Sequence, residues 1–158
     1  MADESPAPPP PLHAVLFACN FNRVRSPMAE ALLKRLVGDR IFVDSCGLRH
    51  APDSVDPDMR RSVDPLAVEV MAEIGCDLSD AKVKTFEELE DDSFDLVISL
   101  TPEAQHRAVE LTRGRAAEIE YWPIHDPTLT EGSRQARLEA YRMVRDSLAQ
   151  RITRRFRS

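Results

Sequence analysis

A cysteine and an arginine stand six positions apart in the stretch Cys19, Asn20, Phe21, Asn22, Arg23, Val24, Arg25, Ser26, Pro27. It follows a short apolar run, residues 13–18, and leads into Met28, Ala31, Leu32 and Leu36 at helical spacing. A tight loop feeding a helix N-terminus directs several backbone N–H groups at one point, and the helix dipole adds partial positive charge. Such a concavity holds a tetrahedral oxyanion and favours the thiolate, the nucleophilic form, of a cysteine within it. The Arg25 guanidinium can grip two anion oxygens at once. The Ser26 hydroxyl can donate to the thiolate, and Asn22 tolerates a left-handed backbone and can brace the loop. A nucleophile inside an anion cradle implies phosphoryl transfer through a cysteinyl-phosphate. The spacing of cysteine and arginine alone is a weak signal. The strand before it, the helix start after it and the adjacent serine make it specific.

Positioning these residues requires a strand, a turn and a helix, and the rest of the chain alternates in the same way. Residues 40–47 read as a second strand, 94–100 as a third that is apolar on both faces, and 117–122 as a fourth. Helices are expected from Pro27 to Val37, from Pro65 to Gly75, from Pro102 to about Leu111, and from the cap Ser133 to about Phe156. The last carries Leu138, Tyr141, Met143, Val144, Leu148 and Ile152 as its apolar stripe. The long polar stretch 48–64 shows little periodicity. Strands alternating with helices argue for an α/β fold with a parallel sheet covered on both faces. In such folds ligands bind at the carboxyl ends of the strands, near a switch in strand order. That places Cys19 just past the end of the first strand, at such an edge.

Composition narrows the class. The chain has 158 residues, 42% hydrophobic and 30% charged, with a net charge of −6. This describes one soluble domain, residues 12–158, and argues against nucleic acid as partner. No apolar run approaches the roughly 18–20 residues that span a membrane. Residues 1–11 hold five prolines and two acids and read as a disordered tail without the features of a secretory signal. Three cysteines, Cys19, Cys46 and Cys76, at unpatterned spacings suit a reducing cytoplasm rather than a disulfide framework or zinc site. His13, His50, His106 and His125 are not at metal-ligand spacing and read as solvated side chains, so no metal or other cofactor is expected. Trp122 reads as packing. The acidic run 87–92 reads as a solvated face, and the Arg-rich end 151–158 complements the dipole of the last helix.

From about His13 onward the chain resembles the low-molecular-weight protein tyrosine phosphatase family. Residues 19–27 match its Cys-x5-Arg-Ser-Pro loop, Asp44-Ser45-Cys46-Gly47 is similar to its segment ending strand two, and His125-Asp126-Pro127 matches its late Asp-Pro loop. The resemblance implies a three-layer α/β/α fold whose four-stranded parallel sheet has the order 2-1-3-4. It implies Cys19 as nucleophile, Arg25 as phosphate ligand, Asn22 and Ser26 as supports of a loop spanning Asn20 to Ser26, and Asp126 as general acid. On position alone Asp126-Pro127 reads first as a turn. A carboxylic acid over the thiolate would protonate the leaving group and then activate water.

The departures from the family concern specificity. Phe21 stands where glycine is usual, Arg23 where an apolar residue is usual, and Val24 where the second loop cysteine is usual. Thr128 and Leu129 occupy the aromatic positions after Asp-Pro, Ala81 that of a histidine after the Asp-Leu-Ser stretch, and no aromatic residue follows Cys46-Gly47 closely. Arg23, Thr128 and Leu129 are therefore expected to form the substrate mouth. The expected partner is a phosphorylated protein or small phosphate ester, with inorganic phosphate or a similar oxyanion held in the loop. Two other readings stay open. One is an arsenate reductase of the same fold using an external thiol, because the region after the third strand holds no further cysteine. The other is a catalytically silent phosphopeptide-binding module. Cys46, ending strand two, is a candidate partner for oxidised Cys19 or else a small buried hydrophobe.

Overall fold

The computed structural model describes residues 11–90 and 93–157. The proline-rich tail thus lies outside the described residues up to Pro10, as do Asp91 and Asp92 of the acidic run. Four strands, β1 (Ala14–Cys19), β2 (Phe42–Gly47), β3 (Leu96–Ser99) and β4 (Glu118–Tyr121), form one parallel sheet in the order β2-β1-β3-β4. The helices are α1 (Arg25–Val37), α2 (Pro65–Ala72), α3 (Pro102–Thr112) and α4 (Arg134–Phe156).

The sheet divides the interior in two because successive side chains of a strand point to opposite faces. Val15, Phe17 and Cys19 of β1 and Leu96 and Ile98 of β3 pack against buried residues of α1, α2 and α4. Ala14, Leu16 and Ala18 of β1, with Val97 of β3, pack on the other face against Ala104 and Ala108 of α3, Phe86 and Phe94. The result is a three-layer α/β/α architecture. β1 and β3 are buried along their whole length, whereas β4 is an edge strand with exposed ends.

Most differences from the expected elements are trims at their ends. Cys19 is the last residue of β1 rather than the first beyond it, since the ladder extends to a Cys19–Gly47 pair. Arg40 lies in a 3-10 turn, Gly38–Arg40, after α1, so β2 begins at Phe42. Met143 is not part of the α4 stripe. It is 67% exposed, while Leu138, Tyr141, Val144, Leu148 and Ile152 are buried. Arg145 joins them instead, donating to Val70 O at 2.8 Å and to Glu73 at 2.8 Å. Hydrogen bonds from Arg142 and then Arg145 pull the Glu73 carboxyl down to about 2. The described acids of the run, Glu87, Glu88 and Glu90, are exposed as expected; on that face Glu87 pairs with Arg107, and Glu88 pairs with Arg61 and with His50, which is therefore not a free solvated histidine. Trp122 is buried edge-on against Phe17.

The start of β1 is fixed by one group. There the Asp95 carboxylate accepts from the N–H groups of His13 and Ala14 at 2.7 and 2.8 Å. Asp95→Ala should leave both donors without that acceptor and lower stability by about 1–3 kcal/mol. Chemical denaturation checks this, and an unchanged midpoint would mean that the carboxylate is dispensable for anchoring β1.

Candidate functional site

The carboxyl ends of β1 and β3 meet where the chain turns to opposite sides of the sheet, α1 leading to β2 and α3 to β4. The loop from Asn20 to Val24 leaves β1 there and enters α1 at Arg25. Its outward carbonyls are occupied. Asn20 O accepts from Leu48 N at 2.8 Å and Arg49 N at 3.1 Å, and Arg23 O from Asp64 N at 2.9 Å. The N–H groups of Phe21, Asn22, Arg23 and Val24, by contrast, have no acceptor among the described residues. With the N-terminus of α1 they form the donor set that an oxyanion requires.

Asn22 holds this shape. Its φ of 58° is the one positive value at a non-glycine residue among those described. The side chain is buried and fully used: Oδ1 accepts from Lys84 N at 3.0 Å, and Nδ2 donates to Ser26 Oγ at 2.7 Å and Ser45 Oγ at 2.9 Å. The direction of these bonds orients the hydroxyls. Ser45 Oγ donates onward to Glu30 Oε1 at 2.5 Å. Ser26 Oγ, already accepting from Asn22, lies 2.9 Å from Cys19 Sγ and 3.4 Å from Cys46 O, so its one proton is shared between a near sulfur and a more distant carbonyl. Asn20 is tied to the opposite side through Thr101, whose hydroxyl donates to Asn20 Oδ1 at 2.7 Å while capping α3 at Ala104 N.

Arg25 and Asp126 come from different ends of the chain. The Arg25 guanidinium donates to Ile124 O at 2.9 Å, and its other terminal nitrogen lies 3.7 Å from Asp126 Oδ2. Asp126 Oδ1 is held by Thr128, which donates from its N–H at 3.0 Å and its hydroxyl at 2.7 Å. Thus Asp126 does cap a turn, Pro127–Leu129, with one oxygen while the other faces Arg25. Cys19, Phe21, Arg23, Val24, Arg25, Asp126 and Thr128 line one small concavity of about 40 Å³. Of the residues expected at the mouth, Arg23 and Thr128 are there. Leu129 is not, because the Asp126 turn leaves it 71% exposed and outside the lining.

The other two thiols lie elsewhere. Cys46 pairs with Ala18, one residue before Cys19, so its side chain sits on the α3 face of the sheet while Cys19 sits on the α1 face. Burial, and then the neighbouring Cys19, push the Cys46 thiol up. That geometry favours the reading of Cys46 as a small buried hydrophobe. Cys76 lies beyond α2 beside Arg35. Among the described residues no cluster of three metal-ligating side chains occurs, and no helix is long and apolar enough to cross a membrane.

Several positioning residues escaped sequence reasoning. Tyr141 of α4 donates to Asp64 Oδ2 at 2.9 Å, and Asp64 also caps α2 at Leu66 N and donates from its backbone to the loop. Burial and the Asp64 charge push the Tyr141 phenol up. Gly47 is the second: a Cβ there would stand 2.7 Å from Phe21 C and 2.8 Å from Asn22 N. The available signal was the glycine closing a strand beside Cys19, a mark of close backbone approach.

Residues 14–157 match the low molecular weight phosphotyrosine protein phosphatase family, and the chain belongs to it. It is 32% identical over 138 residues to a glutaredoxin arsenate reductase of Synechocystis sp., covering 87% of this chain and 92% of that one. Among solved structures it is similar to an arsenate reductase in the phosphate binding state, with 30% identity, a TM-score of 0.68 and coverage of 90% and 95%. It is also similar to a low molecular weight protein tyrosine phosphatase from T. tengcongensis, with 25% identity, a TM-score of 0.68 and coverage of 89% and 95%.

Gly47→Ala tests the loop architecture. The added methyl meets loop backbone, which must shift, and displacements of this kind cost roughly 10–100-fold in well-aligned sites. Phosphate affinity should fall by about that factor while the circular dichroism spectrum is retained. Unaltered affinity would mean the loop is not set by its contact with Gly47.

Proposed function

We propose that this chain is a cysteine-dependent phosphatase that hydrolyses phosphate monoesters through a cysteinyl-phosphate. One observation carries the reading: Cys19, Arg25 and Asp126 line the same concavity, and the other two thiols are elsewhere. The phosphate oxygens take the free N–H groups of the loop and the Arg25 guanidinium. The Cys19 thiolate, steadied by the Ser26 hydroxyl, attacks phosphorus in line with the leaving oxygen. As the P–O bond breaks, Asp126 as a carboxylic acid gives that oxygen its proton. Water then attacks the phosphorus of the cysteinyl-phosphate, Asp126 as carboxylate takes its proton, the P–S bond breaks and inorganic phosphate leaves. Acid–base assistance of this kind is worth roughly 10²–10⁴ in rate.

A second reading, arsenate reduction, has the naming of the relatives in its favour. The same cradle fits arsenate. All three cysteines are free, and the α3-face position of Cys46 argues against an internal thiol relay, so reduction would run through an external thiol. Free thiols suit a reducing cytoplasm, where both readings place the protein. The substrates proposed are phosphorylated proteins or small phosphate esters. The presence of nucleophile, guanidinium and acid together weighs against a silent binding module.

Two variants test this. Cys19→Ser should abolish phosphate release and keep oxyanion binding, because the hydroxyl lacks the nucleophilicity of the thiolate while the cradle stays. Phosphate release at the parental rate would remove Cys19 as nucleophile. Asp126→Ala should slow substrates with poor leaving groups by about 10²-fold or more and good leaving groups far less. A uniform loss across an aryl phosphate series would leave Asp126 only its turn. Arsenate-dependent oxidation of glutathione or a dithiol, without phosphatase turnover, would favour the reductase reading.

A further inference from the structure

Arg23 has a place in the concavity that the proposed transfer step does not use. Its Nε donates to Ser62 O at 3.1 Å, which holds the side chain at the rim with Phe21 and Thr128. Its terminal nitrogens have no acceptor among the described residues. Ser62 is in turn the antiparallel bridge partner of Lys82, an exposed lysine with no carboxylate partner among the described residues. Two acids of the neighbouring segments are engaged already, whereas exposed Asp58 and Asp80 have no cation partner among the described residues. Asp64 accepts from Leu66 N and Tyr141, and Glu88 pairs with His50 and Arg61. Arg60, Arg107, Arg134 and Arg142 elsewhere on the surface have carboxylates, whereas exposed Arg49, Arg113 and Arg137, away from the concavity lining, have none among the described residues. On a chain of net charge −6, the Arg23 guanidinium at the mouth, with exposed Lys82 one backbone bridge beyond Ser62, attracts further negative charge to that side.

We infer that the rim formed by Arg23, Ser62 and Lys82 is a second anion subsite, selecting phosphate esters with another negative group beside the scissile phosphate. The inference rests on the proposed phosphoryl chemistry at Cys19. The scissile phosphate occupies the loop, and the second group, a carboxylate or another phosphate, meets the free guanidinium nitrogens of Arg23. Guanidinium matches either anion with paired donors, and the Lys82 ammonium adds charge without that geometry. An uncharged aryl ester gains nothing from this rim.

The test has a turnover arm and a binding arm, each read as a ratio within one protein so that any general loss cancels. Matched phosphopeptides with acidic or neutral neighbours are compared by kcat/KM in the wild type, Arg23→Ala, Arg23→Lys and Lys82→Ala. The expected wild-type preference for the acidic peptide is about three- to tenfold, shrinking as salt rises. Arg23→Ala should bring it near one, while Arg23→Lys should retain part of it. Lys82→Ala, at an exposed position, should reduce it without endangering the fold. A small bisphosphate assayed against its monophosphate distinguishes the source: preference there and not among the peptides assigns a second phosphate, and the reverse a side-chain carboxylate. In the binding arm, calorimetry compares pyrophosphate with orthophosphate on Cys19→Ser, alone and combined with Arg23→Ala. Pyrophosphate should bind about three- to tenfold tighter, and the combined variant should lose the difference. If no protein turns over while this binding ratio holds, the phosphatase reading fails and the subsite stands. Turnover ratios of one for both the peptides and the bisphosphate, a pyrophosphate ratio of one on Cys19→Ser, or ratios that neither Arg23→Ala nor Lys82→Ala moves, overturn the subsite.

Discussion

The side-chain amide of Asn22 is the interaction on which the site depends. A left-handed residue in mid-loop is a conformation that an L side chain adopts at a cost. Here three hydrogen bonds to Lys84 N, Ser26 and Ser45 offset it. With the amide so engaged, the loop carbonyls point outward to Leu48, Arg49 and Asp64, and its N–H groups are left for an anion. The same amide occupies an acceptor site of the Ser26 hydroxyl, whose oxygen lies 2.9 Å from Cys19 Sγ. Loop shape and the environment of the thiol are consequences of one side chain.

Its partners explain why the surrounding fold is needed. Ser45 and Gly47 come from β2, Lys84 from the segment paired beyond it, Ser26 and Glu30 from α1. Gly47 lets the loop backbone lie directly against β2, which a methyl group would prevent. From the other side, Thr101 holds Asn20 and the carbonyl of Ile124 holds Arg25. Because β1 is central, groups from both neighbouring strands converge on its end. The long α4 acts at a distance: buried Tyr141 grips Asp64, and Asp64 grips the loop at Arg23. Ion pairs of Glu73 with Arg142 and Arg145 fasten α4 to α2 nearby.

Much of this was legible in the sequence because it is local. The buried strands 13–18 and 94–100, the cap Ser133, the helix start at Pro102, and the loop from Cys19 to Ser26 are each written in consecutive residues. The resemblance supplied the strand order, which periodicity does not encode, and it joined Asp126 to a cysteine more than one hundred positions away. What sequence did not disclose depends on convergence in space. Nothing about Lys84 announces that its backbone N–H faces Asn22, and nothing about Tyr141 announces Asp64. Leu129 lies outside the concavity because the N–H and hydroxyl of Thr128 are tied to the Asp126 carboxylate, whereas the next side chain in the turn is exposed. Cys46 shows the rule of alternation at work: one residue of register decides whether a thiol shares the face of Cys19.

The chemistry turns on whether phosphorus becomes bonded to Cys19. The most direct measurement is rapid acid quench of the full chain during turnover of an aryl phosphate, followed by intact-protein and peptide mass spectrometry. The account predicts a transient adduct of one phosphoryl group, confined to the peptide containing Cys19, with Cys46 and Cys76 still free thiols. A protein that turns over substrate without a phosphorylated Cys19, or that accumulates a disulfide joining Cys19 to another cysteine of the chain, would contradict it.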